Sequence, residues 1–161
     1  MTSTWYWEEL PFERTAPVTI VADDLFPETR YAKRETAKLL ANGVGPFCEF
    51  IIPGLPTASG VYIIFVSGSL KYVGRAENIK ARFYGYGHIA PRNCYLNGRS
   101  TNIAMNKRIR GTLRDGVPLK VFVRTTQDFI DLERAVIADL QPTWNIQGIA
   151  KQANTALRVF N

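Results

Sequence analysis

The 161-residue chain has a single histidine, His88, and only two cysteines, Cys48 and Cys94. One histidine excludes a His-rich metal centre. A Ser-His-Asp or Cys-His enzyme would have to use His88, and no GxSxG segment accompanies it. The cysteines lie far apart and show neither CxxC nor Cys/His spacing, so no zinc site is expected and a reduced, cytoplasmic chain is the simplest reading. No run of 18 apolar residues is present, so no membrane-spanning helix and no membrane partner are expected. The opening MTSTWYWEELPFERT lacks a basic start followed by an apolar stretch, so it does not read as a signal peptide. Internal repeats and low-complexity tracts are missing as well.

Acid is scarce in one place. Between Lys71 and Arg114, Glu77 stands alone against ten Lys or Arg, a local charge of +9, while the remaining chain is −3 and the total +6. Such a one-sided field is the footprint of a phosphate-backbone binder, but a merely solvated basic face has the same composition. What is present in quantity is apolar surface, 46% of residues with 12% aromatic, which predicts a folded chain. Its length suits one compact core with an extension.

Along the chain, residues 1–16 hold Trp5, Tyr6 and Trp7 without a clear period and are read as filling a core groove rather than stacking on bases. PVTIVA (17–22) predicts a short strand, and Pro27 opens a basic helix over PETRYAKRETAKLLANG, closed by Asn42-Gly43. Pro46, Pro53 and Pro56 mark a connection that contains the short apolar run FCEFII. From there the pattern predicts a hairpin (60–66 and 70–74), a short helix (76–84), a loop, and a helix from Ser100, as its cap, to about Asp115. A strand (118–124) and a helix from about Thr126 to Leu140, introduced by a Thr125/Asp128 capping pair and stopped by Pro142, complete the order. The expected fold class is α+β: a small antiparallel sheet of about three strands flanked by helices. The expected divisions are an N-terminal extension over 1–56, a main domain over 57–150 and a tail over 151–161.

Two features could carry chemistry. On the last helix Phe129, Leu132, Val136, Ile137 and Leu140 form an apolar stripe at 100° per residue, and Glu133 falls inside it. A carboxylate aimed at a core has to be paired, hydrogen-bonded or bound to a metal; a structural salt bridge satisfies that as well as an ion does. In GVYIIFVSGSLKYVG, a three-residue loop Ser67-Gly68-Ser69 would pair Tyr62 with Gly74 and Ile64 with Tyr72. Both tyrosines would then share a face, with open space at Gly74 beside Tyr62. A two-residue turn would put the tyrosines on opposite faces, and the spacing does not choose between the two.

Gly60-Val61-Tyr62 and Tyr72-Val73-Gly74 resemble the paired motif of the GIY-YIG endonuclease family, with valine for isoleucine in each half. RAENIKARF resembles the family's next block, in which a basic residue follows the second glycine and a functional arginine comes eight residues after it, here Arg82. LERAVIADLQPTWN resembles the closing block, with Glu133, Pro142 and Asn145 in place. The resemblance spans roughly residues 59–147. It implies a divalent-metal-dependent endonuclease that hydrolyses DNA phosphodiester bonds using Mg²⁺ or Mn²⁺. By carry-over Glu133 holds the metal, a hard oxygen ligand of the kind Mg²⁺ accepts while keeping most of its waters. Tyr62 activates the attacking water, and because free tyrosine has a pKa of about 10 that role needs nearby positive charge, which Lys71 and the metal would supply. Tyr72 and Arg82 contact the scissile phosphate, and Asn145 anchors the site. Arg75, Lys80, Tyr86, Arg92, Arg99, Lys107 and Arg108 are the expected nucleic-acid contacts, positioning the duplex rather than reading bases. His88 matches no block and reads as an ordinary loop histidine. The expected partner is double-stranded DNA, with a homodimer or sequential nicking as routes to cutting both strands. The alternatives are a non-catalytic nucleic-acid-binding module on the same fold, and a plain α/β scaffold.

Overall fold

The structure, a computed structural model, describes residues 3–145. Residues 146–150 of the expected main domain and the expected tail over 151–161 lie outside the described residues. The chain forms two compact units. The first takes in the residues up to Thr15, Pro56–Ile79 and those from Lys120 onward; the second takes in Ala16–Leu55 and Lys80–Leu119.

The first unit is built on strands β1 (Thr4–Trp7), β2 (Leu10–Arg14), β5 (Gly60–Val66), β6 (Ser69–Ala76) and β7 (Leu119–Thr125), in the order β1-β2-β7-β5-β6, with helix α3 (Phe129–Leu140) packed on β5 and β6. The β1–β2, β2–β7 and β5–β6 pairs are antiparallel. The sheet therefore has five strands, two more than expected, because residues 4–14 form a hairpin that pairs onto β7. Trp5 and Trp7 alternate with the exposed Tyr6, so both tryptophans turn inward. Trp5 meets Phe12 and Phe65 edge-on at 5.3 and 5.6 Å, and the Trp7 indole donates to Asp139 on α3 at 2.9 Å. The core is Phe12, Val61, Ile63, Val73, Phe122 and Val136. Val61, Ile63 and Val73 are the alternate residues of β5 and β6, and they are the face that α3 covers.

The second unit pairs β3 (Thr19–Leu25) with β4 (Phe47–Ile51), adding helices α1 (Ile79–Gly87; Ile79 belongs to the first unit) and α2 (Ser100–Arg114). The apolar run expected inside a connection is thus a paired strand. The basic helix expected over 27–43 does not form: Pro27–Arg30 makes one 3₁₀ turn and irregular turns follow. Tertiary contacts outweigh its helix propensity. Leu39 bridges Tyr95, Leu40 N–H donates to Cys94, Leu96 N–H donates to Lys38, and the Tyr31 ring lies 4.7 Å from that of Tyr95. Asn106 on α2 is buried and fully used, accepting from Cys48 N–H at 3.1 Å and donating to the carbonyls of Cys48 at 2.8 Å and Tyr86 at 2.7 Å. Neither helix is capped as expected. Arg99 occupies the α2 cap position and Asp128 that of α3, without side-chain cap bonds. Among the described residues no helix is long and apolar enough to cross a membrane.

Candidate functional site

The β5–β6 hairpin resolves the register in an unexpected way. Its turn has two residues, Ser67 and Gly68, both at positive φ (52° and 80°), with Val66 opposite Ser69 and Phe65 opposite Leu70. That geometry matches the twist of the strands and would, uninterrupted, separate the tyrosines onto opposite faces. A bulge between Ile64 and Phe65 skips Lys71, so Ile64 faces Tyr72 and Tyr62 faces Gly74. One extra residue exchanges the faces of everything beyond it. Tyr62 and Tyr72 accordingly share a face, with ring centroids 6.1 Å apart and planes inclined at 38°.

Gly74 does not leave open space beside Tyr62. A β-carbon built there would fall on Cζ and Oη of the Tyr62 ring, so the ring itself occupies the room that the glycine vacates. Tyr62 is 1% exposed, and Tyr72 is half-buried. Gly60 serves the backbone: a β-carbon there would strike the Arg124 carbonyl of β7.

Val73 sits between Tyr72 and Gly74 on the edge strand, where backbone groups lack a neighbouring strand. Asn145 supplies the missing partner. Val73 N–H donates to Asn145 Oδ1 at 2.9 Å, and Asn145 Nδ2 donates to the Val73 carbonyl at 2.8 Å. One side-chain amide thus imitates a strand and fixes β6 at the centre of its motif.

Glu133 stands on α3 with its Oε1 3.9 Å from Arg75 Nη1. Side-chain exposures of 18% for Glu133 and 39% for Arg75 make this a long, wet ion pair rather than a dry one. Arg75, expected as a nucleic-acid contact, is therefore engaged within the unit. By strand alternation Arg75 lies on the α3 face, opposite to the tyrosines. As a metal ligand Glu133 fits an ion held mainly through water: the carboxylate is hard, half-accessible and single. Among the described residues no three His, Cys, Asp or Glu side chains gather into a site.

The remaining expected residues lie in the second unit. Arg82 is half-buried on α1, and Lys80 is exposed there. Arg92 and Arg99 are exposed around the short turn Pro91–Cys94, with Arg99 N–H bonded to Asn93 Oδ1. Tyr86, expected at the nucleic acid, is instead 1% exposed, its ring edge-on to Phe83 at 5.6 Å. Lys107 folds onto its own unit, donating to the Val44 carbonyl at 2.9 Å and lying 5.2 Å over the Phe47 ring. Arg108 is half-buried on α2.

The charge of the basic segment is also partly cancelled in space. Asp23 and Asp24, remote in sequence, bind Arg110 and Arg114. The Arg110 hydrogen bond holds the Asp23 carboxyl below its usual range against the opposing effect of burial, and the same contact pushes the Arg110 guanidinium up. Cys48 and Cys94 are buried, and loss of hydration raises each thiol to about 11, which leaves no ready thiolate nucleophile in either.

His88 lies in the loop just past the end of α1 and stacks on Tyr84, four positions earlier, at 4.1 Å and 11° between planes. The four-residue spacing was the available signal for that pair.

No family model matches the chain. The UvrABC system protein C of Campylobacter jejuni is 34% identical over 94 residues, covering 57% of this chain and 15% of that protein. Its counterparts from Helicobacter hepaticus and from Helicobacter pylori (strain G27) are 33% and 32% identical over 98 and 97 residues, covering 57% and 59% of this chain and 14% and 16% of theirs. The chain therefore spans about 15% of the length of the curated relatives it matches. Among solved structures, a mutant of bacteriophage T4 EndoII aligns at a TM-score of 0.45 with 23% identity, covering 67% of this chain and 86% of that one.

Proposed function

We propose that the chain is a GIY-YIG protein and, within that family, a divalent-metal-dependent endonuclease that hydrolyses phosphodiester bonds of duplex DNA. The observation that carries this reading is the shared face of Tyr62 and Tyr72, restored by the bulge at Lys71 despite a turn that would separate them. A bulge is a local irregularity, and here it delivers one specific result: two phenols side by side on a rigid hairpin.

In this reading Tyr62, as the phenolate, takes a proton from the attacking water, Tyr72 orients the scissile phosphate, and Arg82 keeps the role the resemblance gives it, offsetting the phosphate's growing negative charge. Asn145 keeps Tyr72 and Gly74 in register through Val73. Glu133 would hold the divalent ion, which when bound supplies positive charge beside the phosphate. Duplex cleavage follows either from two copies of the chain or from successive nicks.

The burial of Tyr62 favours a second reading, a non-catalytic nucleic-acid-binding module, since a base that meets no solvent needs a path for its water. Plasmid nicking in Mg²⁺ separates the two. The endonuclease reading expects nicking by the wild type and none by Glu133→Ala. DNA binding by both proteins with cleavage by neither selects the module.

A further inference from the structure

The second unit contains a cavity of about 130 Å³ that the reading above does not use. Its walls are mainly apolar, with Phe50, Ile52 and Leu55 from the β4 segment and Phe83 from α1. Three further lining residues are Lys80 and Tyr84, which share a face of α1 at four-residue spacing, and His88, which lies just past the helix end.

Tyr84 is 64% exposed, so its ring is open to a ligand. It is nevertheless held in place. His88 stacks on it, and His88 Nδ1 donates to the Tyr84 carbonyl at 3.1 Å. The volume is below the roughly 300 Å³ at which whole-ligand pockets begin, so the hollow suits one ring system rather than a whole small molecule. An ordered aromatic ring, an apolar hollow for a single ring and one cation on the same helix face together match a planar ring that carries an anionic group.

We propose that this cavity receives one unstacked nucleotide of a nucleic-acid substrate, its base against Tyr84 and the apolar wall and its phosphate on Lys80. The occupant's identity rests on the nucleic-acid reading above; the geometry of the cavity does not. Base–aromatic stacking is tolerant of sequence, so the site would favour an exposed base of any identity over a fully paired duplex.

The test measures binding of the full chain, without divalent metal, to two single strands of equal length: an oligothymidine and an abasic deoxyribose-phosphate strand. The expected result is tighter binding of the oligothymidine by the wild type. Tyr84→Ala should weaken oligothymidine binding by about 5-fold or more while leaving the abasic strand unchanged, and Tyr84→Trp should keep the preference. Equal affinity for both strands in the wild type, or equal weakening of both by Tyr84→Ala, overturns the proposal. If plasmid nicking is retained in that case, the nuclease reading survives and only the cavity assignment fails. Binding of neither strand, with nicking also absent, overturns both. Displacement of an apolar dye from the cavity by an acyl chain but not by a deoxynucleotide overturns the proposal in favour of a lipid occupant.

Discussion

The phenol end of Tyr62 lies over the α-carbon of Gly74, its partner across the hairpin, so closely that a β-carbon at Gly74 would overlap the ring. Tyr62 is fully enclosed and has nowhere to swing. Gly74→Ala is therefore expected to strain the hairpin, lowering stability by about 1–3 kcal/mol as overpacked cores do, and to reduce nicking by displacing the phenol. Thermal unfolding reads the first effect. Combining it with Tyr62→Ala should cost less than the sum of the two single changes, without restoring nicking, because the two residues act through one contact. A Gly74→Ala protein as stable as the wild type would mean that the contact is slack.

Asn145 satisfies both backbone groups of Val73 on an open sheet edge. Asn145→Ala should cost about 1–3 kcal/mol, and Asn145→Asp more than Ala, since a carboxylate oxygen would then face the Val73 carbonyl. Hydrogen exchange is the direct measurement: the Val73 amide should lose its protection in Asn145→Ala and keep more of it in Asn145→Asp, whose carboxylate can still accept that N–H, while the Ile63 amide keeps most of its own in both. Unchanged exchange at Val73 would show that the amide clamp does not hold the edge.

Much of this arrangement was legible in the chain, and the parts that were not have identifiable causes. The hairpin register of Tyr62, Tyr72 and Gly74 was left open between a two- and a three-residue turn; the bulge at Lys71 gives a two-residue turn the pairing that the three-residue loop would have produced, and no residue type marks a bulge that lacks glycine. The β1–β2 hairpin was not legible, because Trp5, Tyr6 and Trp7 are all aromatic and show no alternation, and its turn at Glu8 (φ 52°) has none of the usual turn residues. Residues 27–43 had the composition of a helix, and what overrides it is pairing with 94–96, a contact that local reading cannot see. The basic segment was overcounted for the same reason: Asp23 and Asp24 reach Arg110 and Arg114 only in three dimensions.

Arg75 and Glu133 are held at 3.9 Å in a solvent-accessible pair. Pairs of that kind contribute about 0–1 kcal/mol, so Arg75→Ala should barely move the melting temperature. It should instead remove one competing cation from the carboxylate and raise affinity for Mn²⁺, measured calorimetrically without nucleic acid, whereas Glu133→Gln should abolish that binding. Equal Mn²⁺ binding by wild type and Glu133→Gln would remove Glu133 as the ligand.

The Asp23 carboxyl is depressed below its ordinary 3.8, first by its hydrogen bond to Arg110. A group with a lowered folded-state pKa contributes stability that is complete above the unfolded value and is lost as pH falls through the folded one. Wild-type melting temperature should therefore drop below about pH 4 more steeply than that of Asp23→Asn, which should be less stable throughout the neutral range. Parallel curves for the two proteins down to acid pH would mean that the Asp23–Arg110 contact adds nothing to folding.

If the chain binds DNA through its backbone, the salt dependence should reveal which cations take part. Arg92 and Arg99 are exposed, whereas Arg110 and Arg114 face Asp23 and Asp24, and Lys107 is turned onto the Val44 carbonyl. Each phosphate contact removed should reduce the slope of log affinity against log salt by about 1. Arg92→Ala and Arg99→Ala should each show that loss. Lys107→Ala should leave the slope unchanged, because the Val44 carbonyl and the Phe47 ring hold its ammonium against the fold rather than toward a phosphate. Equal reductions from all three would mean that the basic segment acts as a diffuse charge, with no distinction between cations directed at the ligand and cations consumed by the fold.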